Sequence, residues 1–297
     1  MRNTFYENVL ENVKRKIDAE KYDVELYRTN KNNGVVRTGI CIRDNNQDNT
    51  VSPVIYLDDY YEQYINEIND VEIIEHVGKK IMRIYNEIAT NPFTMLDAFL
   101  TKEFILANVF IQLVNTHDNL YMLKDVPSRE LFNLSIIYKC LVKNNDEGIA
   151  AFLIRNSTLE KAGLTEEEVY KAGLTNTKEY FPIICKTMRD MVEDMIEDMD
   201  ELIENSPMYV MTNKQQSLGA NALIYPEYFE KLSSVVEDNL IIFPSSIHEL
   251  IILPASLISI KEANIMLNSI NPTIDAEDYL GNRAFYYDRE NKELKIT

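Results

Sequence analysis

The sequence predicts an α+β fold, with antiparallel sheets and packed helices in two docked subdomains, and three observations carry that expectation. Short runs rich in Val, Ile, Phe and Tyr are joined at hairpin distances, which favours antiparallel pairing. Helix-period segments interrupt those runs without the strict strand and helix alternation of a parallel sheet. Between Leu218 and Ser259, two dense apolar runs, Leu240–Phe243 and Leu250–Leu253, are separated only by Pro244, Ser245, Ser246, Ile247, His248 and Glu249, which reads as a tight hairpin in a core sheet.

The first subdomain is expected over residues 1–92. Phe5, Val9, Leu10, Val13 and Ile17 recur at helical spacing, with Thr4 as the cap and Glu7 three residues later as its box partner. Tyr22–Arg28 and Val35–Arg43 alternate apolar and polar residues across Asn33-Gly34, the strongest local hairpin signal in the chain. Val51–Leu57 makes a third strand of a small meander. The period then returns to about 3.6 over Asp58–Asn66 and Val71–Ala89, where Val71, Ile74, Val77, Ile81, Ile84 and Ile88 form the buried stripe. Asn91-Pro92 ends that helix.

The second subdomain is expected over residues 93–297. Asn108–Asn115, Leu134–Val142 and Ile149–Ile154 read as a second antiparallel sheet. Two short helices follow, one over Ser157–Ala162 and one opened by Thr165 with Glu168 in capping-box position. Met188, Met191, Met195, Met199 and Leu202 mark a helix whose opposite face is acidic. Met208–Thr212 begins a further sheet, and Ala222–Tyr225 reads as a short strand before a helix that Pro226 opens, with Tyr228, Phe229, Leu232, Val235 and Val236 as its apolar stripe. Glu262–Ile270 is another helix, and Arg283–Asp288 with Glu293–Ile296 closes the chain as a hairpin.

Composition narrows the function classes. The chain has 297 residues, a formal net charge of −18 and 45% hydrophobic content, with only 8 Gly and no Trp. That charge repels nucleic acid and anionic membranes, so no direct nucleic-acid or membrane binding is expected and a basic protein is the expected partner. Few glycines leave little material for phosphate-cradling loops, and no cofactor is expected. Cys41, Cys140 and Cys185 are widely spaced, with no CxxC pair, which fits a reducing cytoplasm. No apolar run reaches the roughly 20 residues that span a bilayer, and the first residues lack a signal-peptide core.

The order MYVMTN, LGANALIYP, NLIIFPSSIHELIILP and NRAFYYDREN, with NNGVVRTGICI, SPVIYLDDYYEQY and MLKDVPSRELFNLSIIY upstream, resembles a family of uncharacterised proteins from gut Firmicutes over nearly the whole chain. From GLTEEEVYKAGLTNT onward the chain is also similar in order to a second uncharacterised bacterial family. Neither resemblance implies an activity, a cofactor or a catalytic residue.

Ser245, Ser246, His248 and Glu249 are the one place where serines, a histidine and a carboxylate crowd together. A nucleophilic serine needs an adjacent base. Strand alternation lets Ser246 and His248 share a face but turns Glu249 to the other, and no G-x-S-x-G elbow is present, so turn serines bonding their own backbone are the simpler reading. His248-Glu249 starts like H-E-x-x-H, but Ile252 stands at the second histidine position. Asp44, Asn46 and Asp48 match the opening of a calcium loop that Asn49 and Ile55 then break. His76 and His117 stand alone, so no metal site is expected. Asp58, Asp59 and Glu62 suit the capping of a helix start, beside Tyr60, Tyr61 and Tyr64.

Asp190, Glu193, Asp194, Glu197, Asp198, Glu201 and Glu204 step by three or four along one helix. They read as a solvated face over a Met core stripe, or as spaced charges that imitate phosphates and capture a basic groove. The leading expectation is a non-catalytic binding protein. An acidic nucleic-acid mimic that inhibits a DNA- or RNA-binding protein, and a serine hydrolase using Ser245, Ser246 and His248, are the alternatives.

Overall fold

The structure is a computed structural model that describes residues 1–45, 54–66, 71–89, 99–145, 148–192 and 207–297. The chain divides into two compact units, Met1–Thr101 and Lys102–Thr297. Among the described residues every pairing between neighbouring strands is antiparallel, so the α+β expectation holds. The expected boundary at residue 92 falls among residues 90–98, outside the described residues.

In the first unit, strands β1 (Tyr22–Asn30), β2 (Val36–Asp44) and β3 (Val54–Tyr56) form a sheet in that order. The Asn33-Gly34 signal is realised with both residues in the left-handed region, at φ 57 and 71, the geometry of a primed hairpin turn. Asn30 pairs with Val36, so that turn lies within a five-residue loop. Helices α1 (Arg2–Lys14) and α3 (Val71–Ala89) contribute Phe5, Val9, Val13, Ile74, Val77, Ile81 and Tyr85 to a core shared with Val24, Ile40 and Ile42, and α2 (Asp58–Asn66) packs Tyr60, Tyr61 and Tyr64 against it; Tyr85 takes the buried position expected of Ile84, and the side chains of Val71 and Ile88 lie outside the described residues.

Helix α1 starts at Arg2, and no side chain caps it, which corrects the Thr4 and Glu7 box. Its start is held instead by tertiary contacts. Arg2 donates to Tyr6 Oη at 2.8 Å and to Asp58 Oδ1 at 2.9 Å, and Asp58 Oδ2 accepts the Thr38 amide at 3.0 Å. Asp58 is therefore a buried anchor rather than a simple dipole partner, while Asp59 pairs with Arg37. Tyr61 and Tyr64 pack on Phe5 and so serve the core.

The second unit holds two sheets. Strands β4 (Val109–Asn115), β5 (Ser128–Leu131), β6 (Leu134–Asn145) and β7 (Gly148–Leu153) form the first, with β4 on one side of β6 and β5 and β7 both pairing with β6. The short polar β5 and the helix α4 (Lys102–Asn108) carry weak periodicity and escape sequence reading. Helices α5 (Asn156–Ala162) and α6 (Glu166–Tyr180) follow; the Thr165 and Glu168 capping box forms as its spelling requires, and α6 runs 15 residues rather than being short.

The second sheet has the order β13-β12-β10-β11-β9-β8. Its strands are β8 (Ile184–Thr187), β9 (Tyr209–Thr212), β10 (Leu240–Phe243), β11 (Leu250–Pro254), β12 (Phe285–Asp288) and β13 (Glu293–Ile296). Leu240 and Ile242 face the large core shared with β4 and β6, while Ile241 and Phe243 face a smaller core under helix α9 (Ile260–Ile270). Both faces of β10 are covered, which is why its sequence is an unbroken apolar run instead of an alternating one.

Helix α7 (Met188–Val192) lies in the span where the acidic helix is expected; Glu193, Asp194, Glu197, Asp198, Glu201 and Glu204 lie outside the described residues, as do Asn46 and Asp48. Helix α8 (Pro226–Val236) has Pro226 at its first position as expected, yet Val235 is exposed rather than part of the buried stripe. Ala222–Tyr225 is not a strand: Gly219–Ile224 winds as a 3₁₀ segment, because its amides bond locally and to the 244–249 connection. Cys41 and Cys140 are buried and Cys185 is exposed, and none of the three is in a disulfide. Among the described residues no helix is long and apolar enough to cross a membrane.

Candidate functional site

The connection from β10 to β11 is sandwiched between two other segments. On one side, Gly219 N donates to His248 O at 2.9 Å and Ala220 N to Ile247 O at 3.2 Å. On the other, Ile247 N donates to Asp278 O at 2.8 Å and Leu280 N to Ser245 O at 3.0 Å, with Ser246 bridged to Tyr279. Both flanking segments also reach the first sheet. Asn221 accepts the Leu113 amide and donates to Ile111 O, and Asn115 donates to Leu280 O. The six residues between the two strands thus sit where the two sheets of this unit are stitched together.

The imidazole of His248 spans the two flanks. Its Nε2 lies 3.1 Å from Asp278 Oδ1, and its Nδ1 accepts the Leu218 amide at 3.5 Å. A neutral ring protonated at Nε2 satisfies both contacts. The Asp278 hydrogen bond holds the ring's pKa above the usual 6.5, against burial, which pulls it down. Burial also pushes the Glu249 carboxyl up, with His248 and the Ser246 hydroxyl opposing.

Ser245 and Ser246 are each 3% exposed. Ser246 Oγ accepts the His248 backbone N–H at 3.0 Å, the local turn bond that serines of this kind make. The carboxylate paired with the ring is Asp278, from a segment 30 positions downstream, and not Glu249, which acts on the ring only through its charge. Two residues central to this arrangement are therefore silent in sequence: Asp278 looks like any turn acid, and Leu218 carries no sign of its left-handed φ of 60.

The turn leading into the site is unusual in its backbone. Gln216 has a φ of 50 and Leu218 one of 60, conformations that side-chain-bearing residues adopt at a cost of about 1–3 kcal/mol unless their surroundings enforce them. Asn213, itself buried, supplies that enforcement by accepting the amides of Gln215 at 3.0 Å and Ser217 at 3.3 Å. Thr212 Oγ1 donates to His248 O at 2.9 Å and ties the turn to the same carbonyl that Gly219 uses.

The other histidines stand apart, His76 exposed on α3 and His117 exposed beside Asp118 at 3.0 Å. Among the described residues no group of three His, Cys, Asp or Glu side chains is placed to hold a metal ion. No curated protein and no solved structure matches the chain. A family model described as a family of unknown function, DUF5688, matches residues 2–289, and the chain belongs to that family.

Proposed function

We propose that this DUF5688 protein is a non-catalytic binding protein of the bacterial cytoplasm whose partner is a basic protein. The observation that carries the reading is the exposure of four large apolar side chains at and just before α9: Leu257 at 56%, Ile260 at 43%, Ile265 at 62% and Met266 at 41%. Large apolar side chains left in water are what a partner removes from it. The net charge of −18, to which the run from Asp190 to Glu204 contributes, selects a cationic protein among possible partners and speeds its approach.

Proximity cross-linking in the cell, followed by titration of the purified partner against the purified chain, tests this. The expected partner carries net positive charge, and its Kd weakens by about tenfold or more with Ile265→Glu. It also weakens between about 0.05 M and about 0.5 M salt. Recovery of no partner, or of one whose binding ignores both the substitution and salt, overturns the proposal.

A serine-directed phosphonate separates this reading from hydrolysis. Both serines are turned inward and both ring nitrogens of His248 carry partners, so neither Ser245 nor Ser246 is expected to be labelled. Labelling of either serine that disappears in His248→Ala would replace the binding reading with a catalytic one.

A further inference from the structure

We propose that His248 is a proton-operated latch: the neutral imidazole joins Leu218 on one flank to Asp278 on the other, and protonation releases the Leu218 flank while keeping Asp278. The inference goes beyond partner binding and rests on geometry at one ring. In the neutral form, Nδ1 offers a lone pair to the Leu218 amide and Nε2–H donates to Asp278 Oδ1. Adding a proton at Nδ1 turns that acceptor into a donor facing another donor. The Leu218 bond is lost, and the Asp278 contact becomes an ion pair.

The released segment is the one that needs holding. Leu218 is a buried, β-carbon-bearing residue in the left-handed region, two positions after Gln216 in the same region. A backbone in that state persists only while its surroundings enforce it. The remaining ties, from Asn213 and from the Gly219 amide to His248 O, do not involve the ring nitrogens and survive the proton.

Among the described residues, charged groups on three segments act on the ring most strongly. Asp278 on the 275–281 segment and Glu249 next in the chain favour the imidazolium, whereas Lys139 on β6 opposes it; the 213–218 turn presents a backbone amide. The net direction is upward from 6.5, which brings the switch toward neutral pH. The two contacts then respond in opposite senses. A raised folded-state pKa means that the Asp278 pair contributes fully below the ring's ordinary pKa and fades as pH rises through the raised value. The Leu218 bond is present above that value and fades below it. Acidification therefore tightens the 275–281 flank and frees the 213–218 turn.

Site-resolved amide hydrogen exchange, corrected for intrinsic rates, on the full chain between about pH 8 and about pH 5 tests the latch. The Leu218 amide is expected to lose about tenfold or more of its protection on acidification, while Gly219 and Ala220, bonded to carbonyls, keep theirs. In His248→Gln the Leu218 amide is expected to show no such dependence. In Asp278→Asn, which removes the upward pull on the ring, the midpoint moves to lower pH. Constant Leu218 protection in the unaltered chain, the same loss in His248→Gln, or an unmoved midpoint in Asp278→Asn would each overturn it, and the last holds even if the glutamine variant fails to fold.

Discussion

Replacing Asn221 with alanine is expected to destabilise the second unit by about 4 kcal/mol, since two buried backbone groups lose their partner at once and each costs about 1–3 kcal/mol when left unsatisfied. Asn221 is 1% exposed, and its amide acts as a mock strand against β4: Oδ1 accepts the Leu113 N–H at 3.2 Å, and Nδ2 donates to Ile111 O at 2.7 Å. Thr177 continues the same edge by accepting the Ile111 N–H at 2.9 Å, and Asn176 by donating to Val109 O at 2.9 Å. Every residue of β4 is buried, so water cannot substitute along this edge. Urea denaturation followed by tryptophan-free probes such as far-UV circular dichroism measures the loss. A change below about 1 kcal/mol would mean that Asn221 does not carry the edge. Asn221→Asp distinguishes the two roles, because the acid keeps an acceptor for Leu113 and has no donor for Ile111.

Gly219→Ala is expected to cost about 3 kcal/mol, through overpacking that backbone atoms must absorb. A β-carbon there would lie 2.4 Å from Thr212 Cα and 2.5 Å from His248 O, so no flexible side chain can move aside. Backing away would also lengthen the Gly219 N–H bond to His248 O, which is 2.9 Å, and pull on the connection that carries the serines and the imidazole. The expected consequence is a drop in Tm of about 6–12 °C for a unit of this size. An unchanged Tm would show that the two segments can part without cost. The same variant is expected to raise exchange at Gly219 and Ala220, amides that the His248 latch leaves untouched at either pH.

These two substitutions lie at the seam between the sheets, and the seam gives the candidate site its form. The β10 and β11 strands and their six-residue connection are legible in the chain, because two short apolar runs around a Pro and Ser turn leave little else for the backbone to do. The partners that close over that connection are not legible. Asn221 meets Leu113 from 108 residues away, and Leu218 meets His248 from 30. No spacing rule links such pairs, since their meeting depends on how two sheets stack. The reading of Ser246 as a turn serine agrees with its bond to the His248 amide, while the carboxylate at the ring came from Asp278, in a segment with no periodicity to flag it.

Sequence alone determined the classes and spans where local chemistry dominates: the Asn33-Gly34 turn with both residues left-handed, the Thr165 and Glu168 box, Pro226 opening a helix, and the Ile74, Val77 and Ile81 part of the α3 stripe. In each, a few neighbouring residues fix backbone angles or a buried face, so the information is contained within a short window. Tertiary structure decided the rest. It started α1 at Arg2 through Asp58, wound Gly219–Ile224 as a 3₁₀ segment instead of a strand, left Val235 in water, and brought Leu218 and Asp278 to the two nitrogens of one imidazole. The physical reason is common to all four: buried polar groups must find partners wherever the packed chain supplies them, and that supply is a property of three-dimensional neighbours rather than of adjacent residues.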